Sequence, residues 1–310
     1  MRTAITLTLM LAPMLAACGS GESDQHDFQL ETLAAGLEHP WSLAFLPNGN
    51  ALVTERAGRL RLIEDGKLHP EPIGNVAEVL ARGQGGLLDI ALHPDFENNR
   101  ELVLSYAHRN SDGVTTRVMH ATLENHQLTN RSVIFTAEPR SSTTRHFAGR
   151  IVFGDDHNLY VAVGDRGEKD RAQRTDDDAG GVHRITLNGE PAPGNPFLDD
   201  QEVNDTFYTY GNRNIQGMTR HPDTGEIWSH EHGPKGGDEI NILRAGTNYG
   251  WPEITYGIDY DGSIISEKTH KEGMAQPLGN GLLHRRDIPG LEGRPVCWRA
   301  CHGKTGSSSH

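Results

Sequence analysis

Cysteine is scarce: the 310 residues contain three, Cys18, Cys297 and Cys301, and so few leave no disulfide framework to staple the fold. Cys297, Cys301 and His302 lack a fourth ligand at zinc spacing. Gly303-Lys304-Thr305 is no phosphate-binding loop, because Trp298 stands where the first glycine is needed and no strand precedes it. Positive charge is also in deficit. Lys and Arg number 29 against 42 Asp and Glu, a net charge of -13, which excludes nucleic acid as a partner because phosphate binding needs a basic surface. Long segments of helical period are missing. After the first residues, no apolar run is long enough for a transmembrane helix.

The N-terminus is what remains apolar. Arg2 supplies a positive start, Ile5 to Leu15 is an uncharged run too short to span a bilayer, and Leu15-Ala-Ala-Cys18-Gly19 resembles the lipobox of bacterial lipoproteins. Residues 1–17 are therefore expected to be a signal peptide cleaved before Cys18. A diacylglycerol on its sulfur would anchor the protein to the membrane, and residues 18–32 would form a flexible tether. Gly19, in place of an aspartate, points to the periplasmic face of an outer membrane. The plainer alternative is an ordinary secretory signal in which Cys18 is incidental; export is common to both.

From residue 33 onward, short runs rich in Val, Ile, Leu and Tyr alternate with Gly, Pro, Asn and Asp, the pattern of an all-β domain. One phrase recurs: an apolar strand, a Pro/Asp turn with Gly or Asn, and a second apolar strand. It spans Leu43–Val53, Ile90–Tyr106, Ile151–Val161 and Met218–Trp228. Further strands can be read after it, such as Arg59–Ile63 and His183–Leu187. Four-stranded units repeated radially make a β-propeller; a two-sheet sandwich would account for the strands but not for the repetition.

The loops beside these strands are denser in functional groups than turns require. They are Gly83-Gln84-Gly85-Gly86, Arg145-His146-Phe147, Tyr210 to Gly217 with Arg213 and Asn214, and His230 to Glu239, read as following a strand that ends at Ser229. Converging on one cavity, a histidine, an arginine and oxygen donors would suit general-base catalysis beside a hard cation. Bland readings stand beside each. Arg213 and Asn214 could cap turns. His230 and His232 could face a zinc ion but lack an evident third ligand. Asp238-Glu239 could be a solvated turn or Ca²⁺ ligands. Asp176-Asp177-Asp178 reads as a solvated loop.

Seven motifs occur in order: His39-Pro-Trp-Ser-Leu-Ala-Phe-Leu-Pro-Asn-Gly49, Gly83-Gln-Gly-Gly-Leu-Leu-Asp89, His146-Phe-Ala-Gly-Arg150, Asn195-Pro-Phe197, Tyr210-Gly-Asn-Arg-Asn-Ile-Gln-Gly217, Glu231-His-Gly-Pro-Lys-Gly-Gly-Asp-Glu-Ile-Asn241 and Asn248-Tyr-Gly-Trp-Pro252. Together they resemble the aldose sugar dehydrogenases. These are soluble glucose dehydrogenase-like, six-bladed propellers dependent on pyrroloquinoline quinone (PQQ), also known as the glucose/sorbosone dehydrogenase family. The resemblance implies an oxidoreductase that takes hydride from C1 of an aldose, yields an aldonolactone and passes electrons to an external acceptor. His146 matches the catalytic base. Gln84, Arg213, Asn214 and Tyr260 match PQQ contacts. The carbonyls of Gly233 and Pro234 match those holding the Ca²⁺ that binds the quinone. Glu239 and Tyr249 match ligands of a structural Ca²⁺, with Asp238 a neighbouring candidate. Some members carry an aspartate just before the catalytic histidine, where this chain has Arg145. Two other readings remain open, a metal-dependent propeller lactonase or hydrolase using His230 and His232, and a surface-anchored propeller that only binds sugars or proteins.

The order and spacing of the resemblance run from about residue 33 to about residue 280, and a partial propeller of about four to five blades is expected over 33–293. Residues 294–310 carry no readable strand pair, whereas Asp287-Ile-Pro-Gly-Leu-Glu-Gly293 still fits the family. Reading Arg294 to Cys301 one base later permits the family's next strand, so a frameshift near Gly293 is expected. Cys297 and Cys301 would then be accidental. Blades supplying further Lys and Arg to the PQQ carboxylates would be missing, leaving cofactor affinity reduced and the chain inactive as it stands.

Overall fold

The computed structural model describes residues 32–255, except 235, and the backbone of 258–259. These residues are almost all β-structure, arranged as four blades of a propeller. Blade one contains β1 (Pro40–Phe45), β2 (Ala51–Glu55), β3 (Arg59–Glu64) and β4 (Lys67–Leu68). Blade two contains β5 (Leu87–Leu92), β6 (Glu101–Asn110), β7 (Gly113–Glu124) and β8 (Gln127–Thr136). Blade three contains β9 (Ala148–Phe153), β10 (Leu159–Val163), β11 (Gly181–Ile185) and β12 (Phe207–Tyr210). Blade four contains β13 (Ile215–Arg220), β14 (Ile227–Glu231) and β15 (Glu239–Ile242). Within each blade the strands pair antiparallel in sequence order. β16 (Thr247–Asn248) joins the outer edge of blade three in parallel with β12, and β17 (Ile254–Thr255) pairs with β18 (Ile258–Asp259).

The recurring phrase is the first hairpin of each blade: β1–β2, β5–β6, β9–β10 and β13–β14. Local chemistry writes the connections. Asp65-Gly66 and Asn125-His126 place two consecutive residues at positive φ between paired strands, as two-residue hairpins with the right-handed strand twist require. Two expected boundaries move. The strand read as His183–Leu187 is Gly181–Ile185, and β14 extends to Glu231, so His230 lies inside the strand. Its register against β13 and β15 carries the pairing past Ser229.

The innermost strands touch in sequence, β1 with β5, β5 with β9 and β9 with β13. Apolar side chains fill the seams. Leu52, Leu60, Leu102 and Leu104 pack between blades one and two, and Val103, Val118, Leu159 and Val161 between two and three. Ala162, Val182, Ile215 and Ile227 pack between three and four. Each fully buried large aliphatic side chain contributes about 1.5–3 kcal/mol. Polar ties cross the same seams near the axis. Asp89 accepts from Ser42 Oγ at 2.5 Å and from the Ile151 amide at 3.0 Å, and Arg150 Nε donates to the Gln216 carbonyl at 2.6 Å. The acidic run is solvated only at Asp176. Asp177 receives Arg171 through two bonds of 2.8 Å, Asp178 receives the Glu138 amide and Asn204 Nδ2, and both are buried. A charge run is solvated only when no partner is in reach, and here the short 3₁₀ helix Lys169–Gln173 brings Arg171 over it.

Candidate active site

In an antiparallel blade, the start of the first strand and the end of the second lie side by side. The loops before β5, β9 and β13 and those after β10 and β14 therefore meet at one end of the propeller. In blade three the last pair is Ala148 with Val163; continuing that register two residues sets His146 opposite Asp165. His146 Nδ1 is 2.6 Å from Asp165 Oδ1. The carboxylate is fixed by Trp251 Nε1 at 2.9 Å on its other oxygen and by the Gly167 amide at 2.7 Å. Asp165 is 1% exposed, whereas the His146 side chain retains 13% exposure. A buried carboxylate on Nδ1 holds the proton there and leaves Nε2 as the acceptor, the arrangement a general base needs.

The backbone beneath this pair is strained and heavily tied. His146 and Ala148 both sit at positive φ, 51° and 50°, a conformation that persists in non-glycine residues only when the surroundings enforce it. Gln84 Oε1 accepts from the His146 amide at 2.6 Å, and Asn214 Oδ1 from the Ala148 amide at 3.2 Å. The chain passes so close that a Cβ at Gly164 would lie 2.2 Å from the His146 carbonyl oxygen. One at Gly83, itself at φ 62°, would lie 2.3 Å from the Thr144 carbonyl oxygen. Glycine is required at both positions.

Arg213 stands next to the pair. Its carbonyl accepts from the Asp165 amide at 2.9 Å, its Nη1 donates to the His232 carbonyl at 2.9 Å, and its guanidinium lies 5.4 Å over the Trp251 ring. Behind it Glu231 is buried and accepts from the amides of Arg213 at 2.5 Å and Asn214 at 3.3 Å, and from Asn212 Nδ2 at 2.8 Å. Burial first, then the charge of Glu239, pushes the Glu231 carboxyl well up, against these donated bonds. Asn214 thus does more than cap a turn, since its side chain ties β13 to the His146 segment.

The loop after β14 carries Gly233 and Pro234. Asp238 closes it, taking the Gly233 amide at 3.0 Å and His232 Nδ1 at 3.1 Å. A Cβ on Gly233 would lie 2.2 Å from the Gly236 carbonyl oxygen and 2.6 Å from that of Gly237. Near Glu231 and Glu239, the side-chain oxygens of Asn212 and Asn241 are buried without a hydrogen-bond donor. This surplus of oxygen acceptors over donors fits a hard divalent cation. The Tyr249 hydroxyl is engaged, donating to the Ile242 carbonyl and accepting from the Arg244 amide. Among the described residues, no set of three or more His, Cys, Asp or Glu converges as a metal site, His230 and His232 included. Tyr260 and Cys18 lie outside the described residues, as do Cys297, Cys301 and the segment 294–310.

The structure places the expected residues His146, Gln84, Arg213 and Asn214 around one another. The sequence reading misses Asp165, hidden in Gly164-Asp-Arg-Gly167, which reads as a plain turn, and Trp251, more than eighty residues away. The carboxylate on the His146 imidazole thus comes from across the hairpin, while position 145 holds an arginine. Strand register was the signal that would have found it.

Comparison with known proteins gives one answer. The family described as Glucose / Sorbosone dehydrogenase matches residues 37–280. The aldose sugar dehydrogenase YliI of Escherichia coli is 38% identical over 292 residues, covering 92% of this chain and 78% of that protein. A solved glucose dehydrogenase is 43% identical with a TM-score of 0.73, covering 80% of this chain and 73% of its own. The PQQ-bound form of the aldose sugar dehydrogenase from Streptomyces coelicolor is 31% identical with a TM-score of 0.67, covering 80% and 69%.

Proposed function

Because the chain belongs to the glucose/sorbosone dehydrogenase family, a family of sugar oxidoreductases, we propose that it oxidises aldoses at C1 to aldonolactones with PQQ and Ca²⁺. The observation that carries this reading is His146, fixed through Nδ1 by Asp165 with its ring partly exposed. His146 Nε2 takes the proton of the C1 hydroxyl as hydride leaves the same carbon. Asp165 stabilises the imidazolium that results, and Trp251 keeps the carboxylate from swinging away. PQQ, when bound, would supply a two-electron acceptor, with Ca²⁺ as a Lewis acid beside it, and an external acceptor would take the electrons. Arg213 offers the positive charge where negative charge develops, and its contact with the Trp251 ring and its bond to the His232 carbonyl fix its direction. Gln84, Asn214 and Tyr260 would complete the PQQ contacts. The Gly233 and Pro234 carbonyls would hold the Ca²⁺ at the quinone. Glu239 and the main-chain oxygen of Tyr249, with Asp238 nearby, would hold a second one.

The test is oxidation of several aldoses with a dye acceptor, with and without PQQ and Ca²⁺. PQQ is raised to millimolar levels so that weak cofactor binding, the expected cause of inactivity at ordinary levels, is not mistaken for absent chemistry. Turnover that requires both additions is expected, and sugar oxidation without a quinone would overturn the reading. Export is part of the same proposal. Cys18 carries the lipid anchor, and a Cys18→Ser variant is expected to leave the membrane fraction in which the wild type is found.

A further inference from the structure

Arg166 directly follows Asp165, yet it plays no part in the chemistry just described. It is 3% exposed, and its guanidinium is gripped by main-chain oxygens. Nη1 donates to the Arg145 carbonyl at 2.7 Å and Nη2 to the Thr143 carbonyl at 3.1 Å, while Nε has no partner among the described residues. Its Cζ lies 3.7 Å from the centre of the Phe147 ring. Thr143 Oγ1 returns a hydrogen bond of 2.5 Å to the Arg166 carbonyl, and Arg166 sits at φ 59°. Burial pushes the guanidinium down to about 9, with Arg171 adding repulsion and Asp165 and Glu168 offsetting part of it. A buried cation whose hydrogen bonds all go to neutral carbonyls is costly to keep, and a neutral apolar side chain would fill the same space more cheaply.

What the guanidinium holds explains why it is there. Thr143 and Arg145 precede His146, and Phe147 follows it. Gln84 and Asn214 satisfy the amides of His146 and Ala148, and Arg166 satisfies carbonyls on the other side of the same strained turn. Asp165 and Arg166 are therefore consecutive residues whose side chains address one loop, the first on its imidazole and the second on its backbone. We infer that Arg166 is a positioning residue, whose planar fork clamps residues 143–147 so that the His146 ring stays in line with Asp165. This inference rests on the reading of His146 as the base. Lysine cannot replace the fork, because a single ammonium does not span two carbonyls while lying over a ring.

The test uses the full chain without cofactor. The ring nitrogens of His146 are followed by ¹H–¹⁵N NMR, with His146→Gln to assign them. In the wild type the Nδ1–H form is expected alone. In Arg166→Met and Arg166→Lys a mixture of tautomers is expected, although thermal unfolding shows both variants folded. In the PQQ- and Ca²⁺-loaded protein, kcat should fall roughly 10–100-fold with the sugar KM little changed, the scale of a slightly misplaced catalytic group. An unaltered Nδ1–H signal in both folded variants would overturn the inference. Should the variants not fold, the wild type still decides. A clamped guanidinium gives separate, slowly exchanging Nη–H signals for Arg166, and freely averaged signals refute the clamp. Failure of the underlying reading looks different, because His146→Gln would then turn over as fast as wild type whatever the tautomer result.

Discussion

The backbone at the two ends of the β9–β10 hairpin is held by opposite means. At the turn between the strands the backbone bonds are local, while the side chains of Asp155 and Asp156 pair outward with Arg220 and Arg184. The Gly154 amide donates to the Asn158 carbonyl, the His157 amide to the Gly154 carbonyl, and the Asn158 amide to Asp156 Oδ1. At the open end, His146 and Asp165 are held by Gln84, Asn214, Arg213 and Trp251, which come from other blades or from the segment beyond them. Positive φ occurs at both ends, at His157 in one and at His146 and Ala148 in the other. In the turn it is the ordinary geometry of a reversal. At the open end it aims a ring, and distant residues enforce it. Strain maintained from afar marks the functional end of the hairpin.

Substitutions at the two ends should separate this difference by size. The largest effect is expected for Asp165→Asn, which can no longer hold the Nδ1–H form of His146. Steady-state dye-linked kinetics should show kcat down roughly 10²–10⁴-fold with KM little changed. Gly164→Ala comes next, since its methyl would press on the His146 carbonyl. Overpacking of that kind costs about 1–3 kcal/mol, visible in denaturant unfolding together with slower turnover. Gln84→Ala removes one bond to the His146 amide and should cost about 1 kcal/mol with a smaller loss of rate. His157→Asn, at the local turn and in a residue type that accepts positive φ, should stay within about 0.5 kcal/mol at wild-type turnover. A His157 variant that slowed the reaction as much as Gly164→Ala would break the comparison.

The same contrast explains what could be read beforehand. The propeller was legible because its evidence is local. Turn residues such as Asn48-Gly49 punctuate alternating apolar runs, and the phrase recurs four times. His146, Gln84, Arg213 and Asn214 could be grouped because each lies beside a strand of that phrase, and their expected roles came from the family resemblance. Asp165 and Trp251 were not, since a turn aspartate and a tryptophan within a distant motif gain a role only when strand register and long-range packing bring them to one histidine. Asp177 and Asp178 failed for the same reason, because the arginine that buries Asp177 becomes its neighbour only through a short helix. Local patterns report elements, and long-range pairing decides which polar residues are buried.

The central claim is that His146 is the base of an aldose oxidation. Comparing wild type with His146→Gln, both loaded with PQQ and Ca²⁺ and matched for bound cofactor, tests it directly. The account predicts that kcat for aldose oxidation falls roughly 10²–10⁴-fold while the cofactor stays bound. Equal turnover in the two proteins would contradict it.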